Sequence, residues 1–400
     1  MGWLGLDDTD HLGGGCTTWT LQTLLSRLPE GVAIVGDPCL VRLYPMTKAR
    51  TRGNAALAVE LTVDLSRHEW FGWLAEQWST VLAPLAGQCT ASTHAARAQV
   101  PSDPGMVWFE NKPCDVFYRT AVRFETGLED APRPDWEAGG NGKIGAIAAV
   151  SWPNKVTTWE GIAWRTESDE ERILDNKVLE QLDQDSRLIA CRDPRQGRGL
   201  LAPRGASPVL FGLRGTEREA VKDWMNKLTQ ASGTEATIGT CVFRTNQGSG
   251  DHLGQPINAI VEQVNVLRGG HVTLSTSEGT WLAFAPSGPL RDIASRLLPG
   301  DEVSGVGLVS TQEGREGLHL EGLLHRSGPP RHLQRPMCPM CDRRLKSAGR
   351  NQGLRCPSCD HRDVDRWVGD EVTASRWVQP PIDRRRHLAP DLNARFPEGP

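Results

Sequence analysis

The sequence lacks an apolar run that approaches the ~18–20 residues needed to cross a membrane. Its first apolar segment, residues 3–6, runs directly into an acidic cluster and therefore cannot be the core of a signal peptide. It also has no internal repeat and no low-complexity tract. These absences exclude a membrane-spanning protein, and we expect a cytoplasmic one.

The composition is that of a soluble globular protein. The 400 residues correspond to two to four domains of about 100–200 residues each. The net charge of −4 is unevenly distributed, because residues 326–400 hold 15 Lys and Arg against 9 Asp and Glu and the rest of the chain carries a net charge of −10. A basic end on an acidic body favours a local binding face for a polyanion.

Paired cysteines occur only near the C-terminal end. Cys338/Cys341 and Cys356/Cys359 form two C-x-x-C pairs with 14 residues between them, whereas the other six cysteines stand singly. Tight pairs in a reducing compartment are typical of metal ligands, and this spacing predicts a zinc ribbon with four thiolates on structural Zn²⁺. The intervening residues are basic, which favours RNA contact, although a purely structural ribbon has the same spacing.

The pattern of apolar and turn-forming residues along the sequence predicts a multidomain α+β protein. Residues 1–61 indicate a helix over 17–28 and strands over 32–35, 40–43 and 55–63. Residues 62–139 indicate helices over 70–85 and 116–124, and the Pro- and Gly-rich segment 127–141 predicts a boundary or a surface loop. Residues 144–230 return to an α/β pattern. We therefore expect one catalytic domain at 1–61 and 140–234, with 62–139 as a companion region.

The last third of the chain divides into two parts. Residues 235–328 predict an OB-fold barrel, a common oligonucleotide-binding scaffold, because five strands accompany a single helix. The strands are expected over 259–267, 271–275, 280–285, 302–309 and 318–325, and the helix over 290–298. Residues 329–400 comprise the zinc ribbon and a tail with Arg384, Arg385, Arg386 and His387, which suits phosphates or a solvated end.

An acidic, glycine-rich turn follows the first strand. Asp7, Asp8 and Asp10 lie within four residues, and carboxylates grouped in this way suit Mg²⁺. Thr17 and Thr18 begin the next helix, where free N–H groups favour an anion. The pattern indicates a Mg²⁺–nucleotide site, although a structural turn capped by Asp and Thr has the same composition.

Two further segments suit phosphate groups. Lys48, Arg50 and Arg52 precede Asn54 between two strands, and such side chains bind phosphate oxygens. The loop 140–145 places Gly142 and Lys143 at the start of an apolar helix, where a phosphate can bind. The structural alternatives are a solvated basic hairpin and a plain helix-entry turn.

Segments along nearly the whole chain resemble one family, the archaeal tRNA-isoleucine 2-agmatinylcytidine synthetases. The matching segments are DDTD at 7–10, CTT at 16–18, TRGN at 51–54, PVLFGLRG at 208–215, RTNQG at 244–248, GGHV at 269–272, KSAG at 346–349, GLRC at 353–356 and RRHL at 385–388. Their shared order makes the resemblance specific.

The resemblance implies a fold and a reaction. The fold would comprise a kinase-like catalytic domain over 1–61 and 140–234, a ferredoxin-like companion region over 62–139, an OB-fold and a zinc ribbon. The enzyme would use ATP to phosphorylate carbon 2 of the wobble cytidine in the CAU anticodon of isoleucine tRNA, and the amine of agmatine would displace the phosphate. ATP would end as AMP, the tRNA would read AUA, and Thr17 would match the family's autophosphorylated threonine.

The resemblance also implies roles for individual residues. Asp7, Asp8 and Asp10 would hold Mg²⁺, beside Thr17 and Thr18. ATP would contact Lys48, Arg50, Arg52, Asn54, Gly142 and Lys143. The tRNA would contact Arg244, Asn246, Gln247, His271, Arg344, Lys346, Arg385, Arg386 and His387. The chain departs from the family pattern at Arg204 and Ser207, where the family carries His and Asp, which bears on the nucleotide or agmatine pocket.

Two other functions fit the same residues. A non-catalytic nucleic-acid-binding protein would use the barrel and ribbon alone, but the clustered acids oppose it, since carboxylates repel a phosphate backbone unless a metal intervenes. A related tRNA cytidine modifier would use lysine or another amine in place of agmatine. The sequence indicates neither the agmatine-binding residues, among which Glu160 is one candidate, nor the oligomeric state.

Overall fold

The chain forms two compact units in the computed structural model. The model describes residues 1–11, 14–47, 54–88, 100–166, 170–189, 191, 201–203, 207–311, 316–329, 335–349, 352–364 and 376–397. The first unit comprises Met1–Gly254 and Ile382–Pro390, and the second comprises Gln255–Pro381 and Asp391–Pro400. Among the described residues, every helix is too short or too polar to span a membrane.

Within its described residues, the first unit contains ten strands and six α-helices. The strands are β1 (Gly2–Asp7), β2 (Asp10–His11), β3 (Gly14–Gly15), β4 (Val32–Arg42), β5 (Ala55–Val63), β6 (Gly105–Phe109), β7 (Trp136–Gly139), β8 (Thr158–Trp164), β9 (Val209–Gly215) and β10 (Gly239–Thr245). The helices are α1 (Thr17–Leu25), α2 (Arg67–Gln77), α3 (Val116–Ala121), α4 (Gly142–Val150), α5 (Asn176–Leu182) and α6 (Arg218–Gln230).

One eight-stranded sheet organises this unit. Its strand order is β7-β6-β1-β5-β4-β10-β8-β9, with β2 and β3 as a separate hairpin. All pairs in the sheet are antiparallel except β4 and β10. Alternation along β5 explains the layering, because Ala56 and Ala58 pack with α3 and α4 whereas Leu57, Val59 and Leu61 pack with α1 and α2. Helices α5 and α6 cover β8 and β9.

The second unit contains a closed barrel and a small three-stranded sheet. The barrel strands are β11 (Ile257–Val266), β12 (Val272–Thr276), β13 (Gly279–Ala283), β14 (Glu302–Ser310) and β15 (Gly317–Ser327), and they close in the order β11-β12-β13-β15-β14. The small sheet comprises β16 (Lys346–Ser347), β17 (Leu354–Arg355) and β18 (Arg362–Asp363). The helices are α7 (Pro289–Ala294) and α8 (Leu392–Arg395). The predicted five-stranded barrel with one accompanying helix, α7, is confirmed.

Several predicted elements of the first unit differ from the observed ones. The strands expected over 32–35 and 40–43 are one strand, β4, with a register shift between Val35 and Cys39. The helix expected over 70–85 ends at Gln77 and continues as a π-helical turn and a 3₁₀ turn. Residues 239–245 were assigned to the barrel domain without a strand, but they form β10, which pairs with β8 along its whole length and so belongs to the eight-stranded sheet.

Two strands were also missed. Strand β6 is a five-residue, fully buried run, which periodicity cannot distinguish from other buried segments. Strand β7 lies in the segment 127–141 that predicts a loop, and it forms through pairing with β6. Strand β6 lies next to β1, and its first residue, Gly105, pairs with Asp7 at the start of the acidic turn.

Candidate active site

Most of the predicted catalytic and nucleotide-binding residues line a single cavity of the first unit. The cavity has a volume of about 390 Å³. Its lining includes Asp7, Asp8, Asp10, Thr17, Thr18, Asn54 and Gly142. Lys48, Arg50 and Arg52 lie outside the described residues. Lys143 is directed elsewhere, since its ammonium group pairs with Glu137 at 3.2 Å.

The acidic turn is held tightly at the end of β1. The Asp8 amide donates to Asp7 Oδ1 at 2.7 Å, and the Asp103 amide donates to Asp8 Oδ2 at 2.9 Å. Asp8 has a φ of 57°, a left-handed conformation that costs a non-glycine residue free energy. Asn54, on the same cavity, has a φ of 45°, and its side-chain amide donates to the Tyr44 carbonyl. Backbone strain at two lining residues is typical of a functional site.

Two carboxylates of this turn, Asp7 and Asp8, are half-buried and have raised pKa values. Burial raises the pKa of Asp7 well above its usual range, and the nearby Asp8 and Asp10 raise it further. Burial, together with Asp10 and Asp103, raises the pKa of Asp8 to about 7. Within the described part of the chain, neither Asp7 nor Asp8 forms an ion pair. The cavity therefore favours a bound cation at this position.

The glycine loop before α4 allows its backbone to approach the acidic turn. A Cβ atom on Gly145 would lie 1.8 Å from Asp7 Oδ2, and one on Gly142 would lie 2.7 Å from the Asp7 carbonyl oxygen. Asp103 fixes the same loop, because its Oδ2 accepts from the Asn141 amide and its carbonyl oxygen accepts from the Gly142 amide. These glycines are therefore required by close packing of α4 against the carboxylates.

Two helices begin at this cavity. Helix α1 begins after Cys16 and helix α4 after Asn141, and neither residue caps its helix through its side chain. In α4 the first three N–H groups, those of Gly142, Lys143 and Ile144, already donate to backbone carbonyls. Those of α1 remain available to an anion. An anion held here would lie close to the carboxylates, which is the arrangement that a metal-bound phosphate needs.

The two threonines at the start of α1 differ in their contacts. The Thr18 hydroxyl accepts from Trp164 Nε1 at 3.2 Å and lies 2.9 Å from Cys16 Sγ. Among the described residues, the Thr17 hydroxyl has no hydrogen-bond partner, and Thr17 lines the cavity. Thr17 is therefore the threonine whose hydroxyl is available for reaction, and Thr18 stabilises the local fold.

A buried acid between two arginines forms the opposite wall of the cavity. Glu160 accepts from Arg42 at 3.2 Å and from Arg214 at 3.5 Å. Burial alone would raise the pKa of Glu160, but the two guanidinium groups outweigh it and hold the pKa below its usual range. All three residues line the cavity, so its charge is acidic on the α1 side and mixed on the β8 side.

The sequence patterns missed both arginines of this wall. Arg42 and Arg214 meet Glu160 only because β4, β8 and β9 lie in one sheet, which no local spacing reveals. Asp103 was also missed, since it lies far along the chain from the turn that it supports. The signal that could have identified Arg42 was its charge within the strand predicted over 40–43.

Of the predicted tRNA-binding residues, six lie in the first unit. Asn246 is 3% exposed and binds the Arg42 backbone and Tyr118 through its side chain. Arg244 lies over the Trp159 ring at 5.6 Å, and the Gln247 carbonyl oxygen accepts from Thr158. In the basic tail, Arg385 donates to the Ala389 carbonyl, Arg386 is half-buried, and the His387 ring contacts His252 edge-on.

The remaining predicted residues lie in the second unit. His271 Nδ1 accepts from the Ala285 amide within the barrel. Arg344 and Lys346 are exposed on the small sheet. The four cysteines, Cys338, Cys341, Cys356 and Cys359, have Sγ atoms that all lie within 4.8 Å of one another. Three of these Sγ–Sγ separations are 3.3–3.6 Å, close to the ~3.8 Å expected for thiolates around zinc at 2.3 Å.

Three family models match the chain in its own order. The TiaS TCKD domain matches residues 3–134, the TiaS FLD domain matches 140–252, and the TiaS C-terminal zinc ribbon domain matches 335–368. The first two models meet between residues 134 and 140.

The chain is similar over its length to known tRNA(isoleucine-2) 2-agmatinylcytidine synthetases. It is 29% identical to the synthetase of Methanopyrus kandleri, over 97% of this chain and 96% of the relative. It is 30% identical to that of Acidilobus saccharovorans, over 98% and 94%. The crystal structure of the TiaS complex with this tRNA and ATP matches with a TM-score of 0.73 and 25% identity, over 100% of this chain and 98% of that one.

Proposed function

This chain belongs to the TiaS family of tRNA(isoleucine-2) 2-agmatinylcytidine synthetases, and we infer that it conjugates agmatine to carbon 2 of the wobble cytidine in the CAU anticodon of an isoleucine tRNA. The protein is an ATP-dependent ligase that forms a carbon–nitrogen bond. One observation carries the chemistry: three carboxylates line one cavity together with the uncapped N-terminus of α1.

The reaction needs a leaving group at carbon 2, because the ring carbonyl oxygen leaves poorly. The oxygen takes a phosphoryl group from ATP, and the amine nitrogen of agmatine then bonds to carbon 2. The carbon–oxygen bond breaks, phosphate departs with the oxygen, and the nitrogen loses a proton. Catalysis of such a transfer is mostly positioning and charge neutralisation, which the α1 N-terminus and the arginine wall are proposed to supply.

Mg²⁺ fits the acidic turn. Asp7, Asp8 and Asp10 would hold it, since Asp7 and Asp8 are half-buried, their pKa values are raised, and neither is paired with a cation among the described residues. When bound, Mg²⁺ would neutralise phosphate oxygens. Gly142 lines the cavity and is proposed to lie beside the phosphates, and Lys48, Arg50 and Arg52, which lie outside the described residues, are proposed to contact them.

Thr17 is proposed as a phosphoryl acceptor. Its hydroxyl lies at the N-terminus of α1, where the helix dipole stabilises added negative charge. Thr18 is unsuitable, because its oxygen already accepts from Trp164. Asn54 shapes the same cavity through its left-handed backbone and its bond to Tyr44.

The second unit and the basic tail are proposed to bind the tRNA outside the cavity. The barrel is assigned as an OB-fold, and His271, Arg344 and Lys346 as tRNA contacts, with Arg244, Gln247, Arg385, Arg386 and His387 of the first unit. The first unit is proposed to combine a kinase-like catalytic domain with a ferredoxin-like domain. The wobble base lies in a loop and must be splayed out to reach the cavity.

A single-turnover labelling assay tests this function. Purified protein is mixed with ATP, Mg²⁺, radiolabelled agmatine and either the CAU isoleucine tRNA or the CAU methionine tRNA. We expect ATP-dependent label in the isoleucine tRNA alone, and its loss in Thr17→Ala and Asp8→Ala. Label that persists in both variants would contradict the assignment of the acidic turn. No label in any reaction, with tRNA binding retained, would contradict the function itself.

A further inference from the structure

The Asn246 side chain extends the sheet by one residue. Strands β4 and β10 pair in parallel at Cys39–Arg244 and Leu40–Thr245. Beyond this point, Asn246 Oδ1 accepts from the Arg42 amide at 2.7 Å, and Nδ2 donates to the Arg42 carbonyl at 2.8 Å. A carboxamide offers the same donor and acceptor as a peptide unit, so this side chain replaces the next backbone pair of the ladder.

A second set of bonds fixes the orientation of this amide. Asn246 Nδ2 also donates to the Tyr118 hydroxyl at 2.9 Å, and that hydroxyl donates to Asp251 Oδ2 at 2.7 Å. Asn246 is 3% exposed and Tyr118 is 2% exposed. With both amide hydrogens used inside the chain, Asn246 has no donor left to offer to a tRNA.

Arg42 is the residue on which this network acts. Asn246 holds both polar backbone groups of Arg42, while the Arg42 side chain lines the cavity and pairs with Glu160 at 3.2 Å. Two residues further on, the backbone amide of Tyr44 donates a hydrogen bond to the Ala121 carbonyl at 2.9 Å, which fixes the chain after Arg42. The place of the Arg42 guanidinium in the cavity is thus set by a buried amide outside it.

We propose that Asn246 is a positioning residue for the ligase reaction, which acts through Arg42, and that Arg42 is an anion-contacting residue of the cavity. Tyr118 orients Asn246 and so belongs to the same device. The inference rests on the proposed function, because Arg42 can contact an anion there only if the cavity binds the phosphates of ATP or of the activated cytidine. It replaces direct tRNA contact as the role of Asn246.

The test compares substitutions that change few atoms. Asn246→Asp removes both N–H donors from a side chain of the same shape, and Tyr118→Phe removes only the hydroxyl. Asn226→Asp, on the exposed face of α6, is the matched control for the same chemical change. Each variant is made in the wild-type chain and with Arg42→Gln. The readouts are kcat and KM for ATP and agmatine, the Kd for tRNA, and the melting temperature.

We expect Asn246→Asp to lower kcat/KM on the order of 10- to 100-fold, because buried partners lose their bonds. We expect Tyr118→Phe to lower it about tenfold or less, and the Kd for tRNA to stay within about twofold of wild type. With Arg42→Gln present, either substitution should add less than about a twofold further loss, since residues that act through one group are not additive.

Losses that multiply in the Arg42→Gln chain would overturn the proposal, as would a weakened Kd for tRNA at unchanged kcat. If Asn246→Asp unfolds the protein, Tyr118→Phe carries the same comparison. If the wild type, the Asn226→Asp control and the Asn246→Asp variant all label the tRNA at the same rate, this inference alone is contradicted. Failure of the wild type to label would instead sink the function on which it rests.

Discussion

Gly145 lies in the first turn of α4, directly against the Asp7 carboxylate. The substitution Gly145→Ala therefore has two opposing effects, a gain in helix stability and a displacement of Asp7 in the active site. In an open helical position, Ala is more stable than Gly by about 1 kcal/mol. Here the new Cβ would lie 1.8 Å from Asp7 Oδ2 and 2.7 Å from Asp7 Cγ. Since ordinary contacts are near 3.5 Å, the Asp7 carboxylate must move by about 1.5 Å.

The size of both effects follows from this displacement. Overpacking costs about 1–3 kcal/mol, so the helix gain is cancelled or exceeded and the free energy of unfolding falls by about 0–2 kcal/mol. Misplacement of a catalytic group by ~1 Å lowers the rate on the order of 100-fold. We therefore expect Gly145→Ala to lose agmatine transfer far more than it loses stability.

The assay is agmatine labelling of the CAU isoleucine tRNA, run beside chemical denaturation of the same preparations. Gly72→Ala is the matched control, because a Cβ at Gly72 in α2 would meet nothing within 4 Å among the described residues. That control should gain about 0.5–1 kcal/mol and keep its activity. A Gly145→Ala protein that is stabilised like Gly72→Ala and fully active would refute the close-packing account of the site.

Named contacts support three further predictions. Because the folded-state pKa of Asp8 is raised to about 7, its contribution to the free energy of unfolding is present below pH 4 and is lost as the pH rises towards 7. Asp8→Asn should flatten this part of the stability profile in metal-free buffer, and denaturation at pH 5 and pH 8 checks this. Thr18→Ala should destabilise the protein by about 1–3 kcal/mol, because the buried Trp164 Nε1 loses its acceptor; an unchanged denaturation midpoint would contradict this. Elemental analysis should give about one zinc per chain, lost in Cys338→Ser, and a wild-type value near zero would contradict the ribbon.

Local patterns predicted those parts of the molecule whose residues are close in sequence. The acidic turn, the start of α1 and the two C-x-x-C pairs each need only a few neighbouring residues, and the structure places each as a compact group. The five barrel strands were also predictable, since turns separate them at short intervals.

Long-range pairing produced the features that local patterns missed. Glu160 meets Arg42 and Arg214 because β4, β8 and β9, which are distant in sequence, lie in one sheet, with β10 between β4 and β8. Asn246 appears in a polar run that suggests surface contact, but pairing of β10 with β4 buries it and uses its hydrogen bonds internally. Polarity in a sequence does not distinguish a group that binds a ligand from one that satisfies the backbone.

The measurement that tests the central claim most directly is the mass of the wobble nucleoside from the CAU isoleucine tRNA after reaction. With ATP and agmatine present, the account predicts that this cytidine gains the mass of agmatine less one water, and that no gain occurs when ATP is omitted. An unchanged nucleoside, or a gain that matches another amine from a mixture containing agmatine, would contradict it.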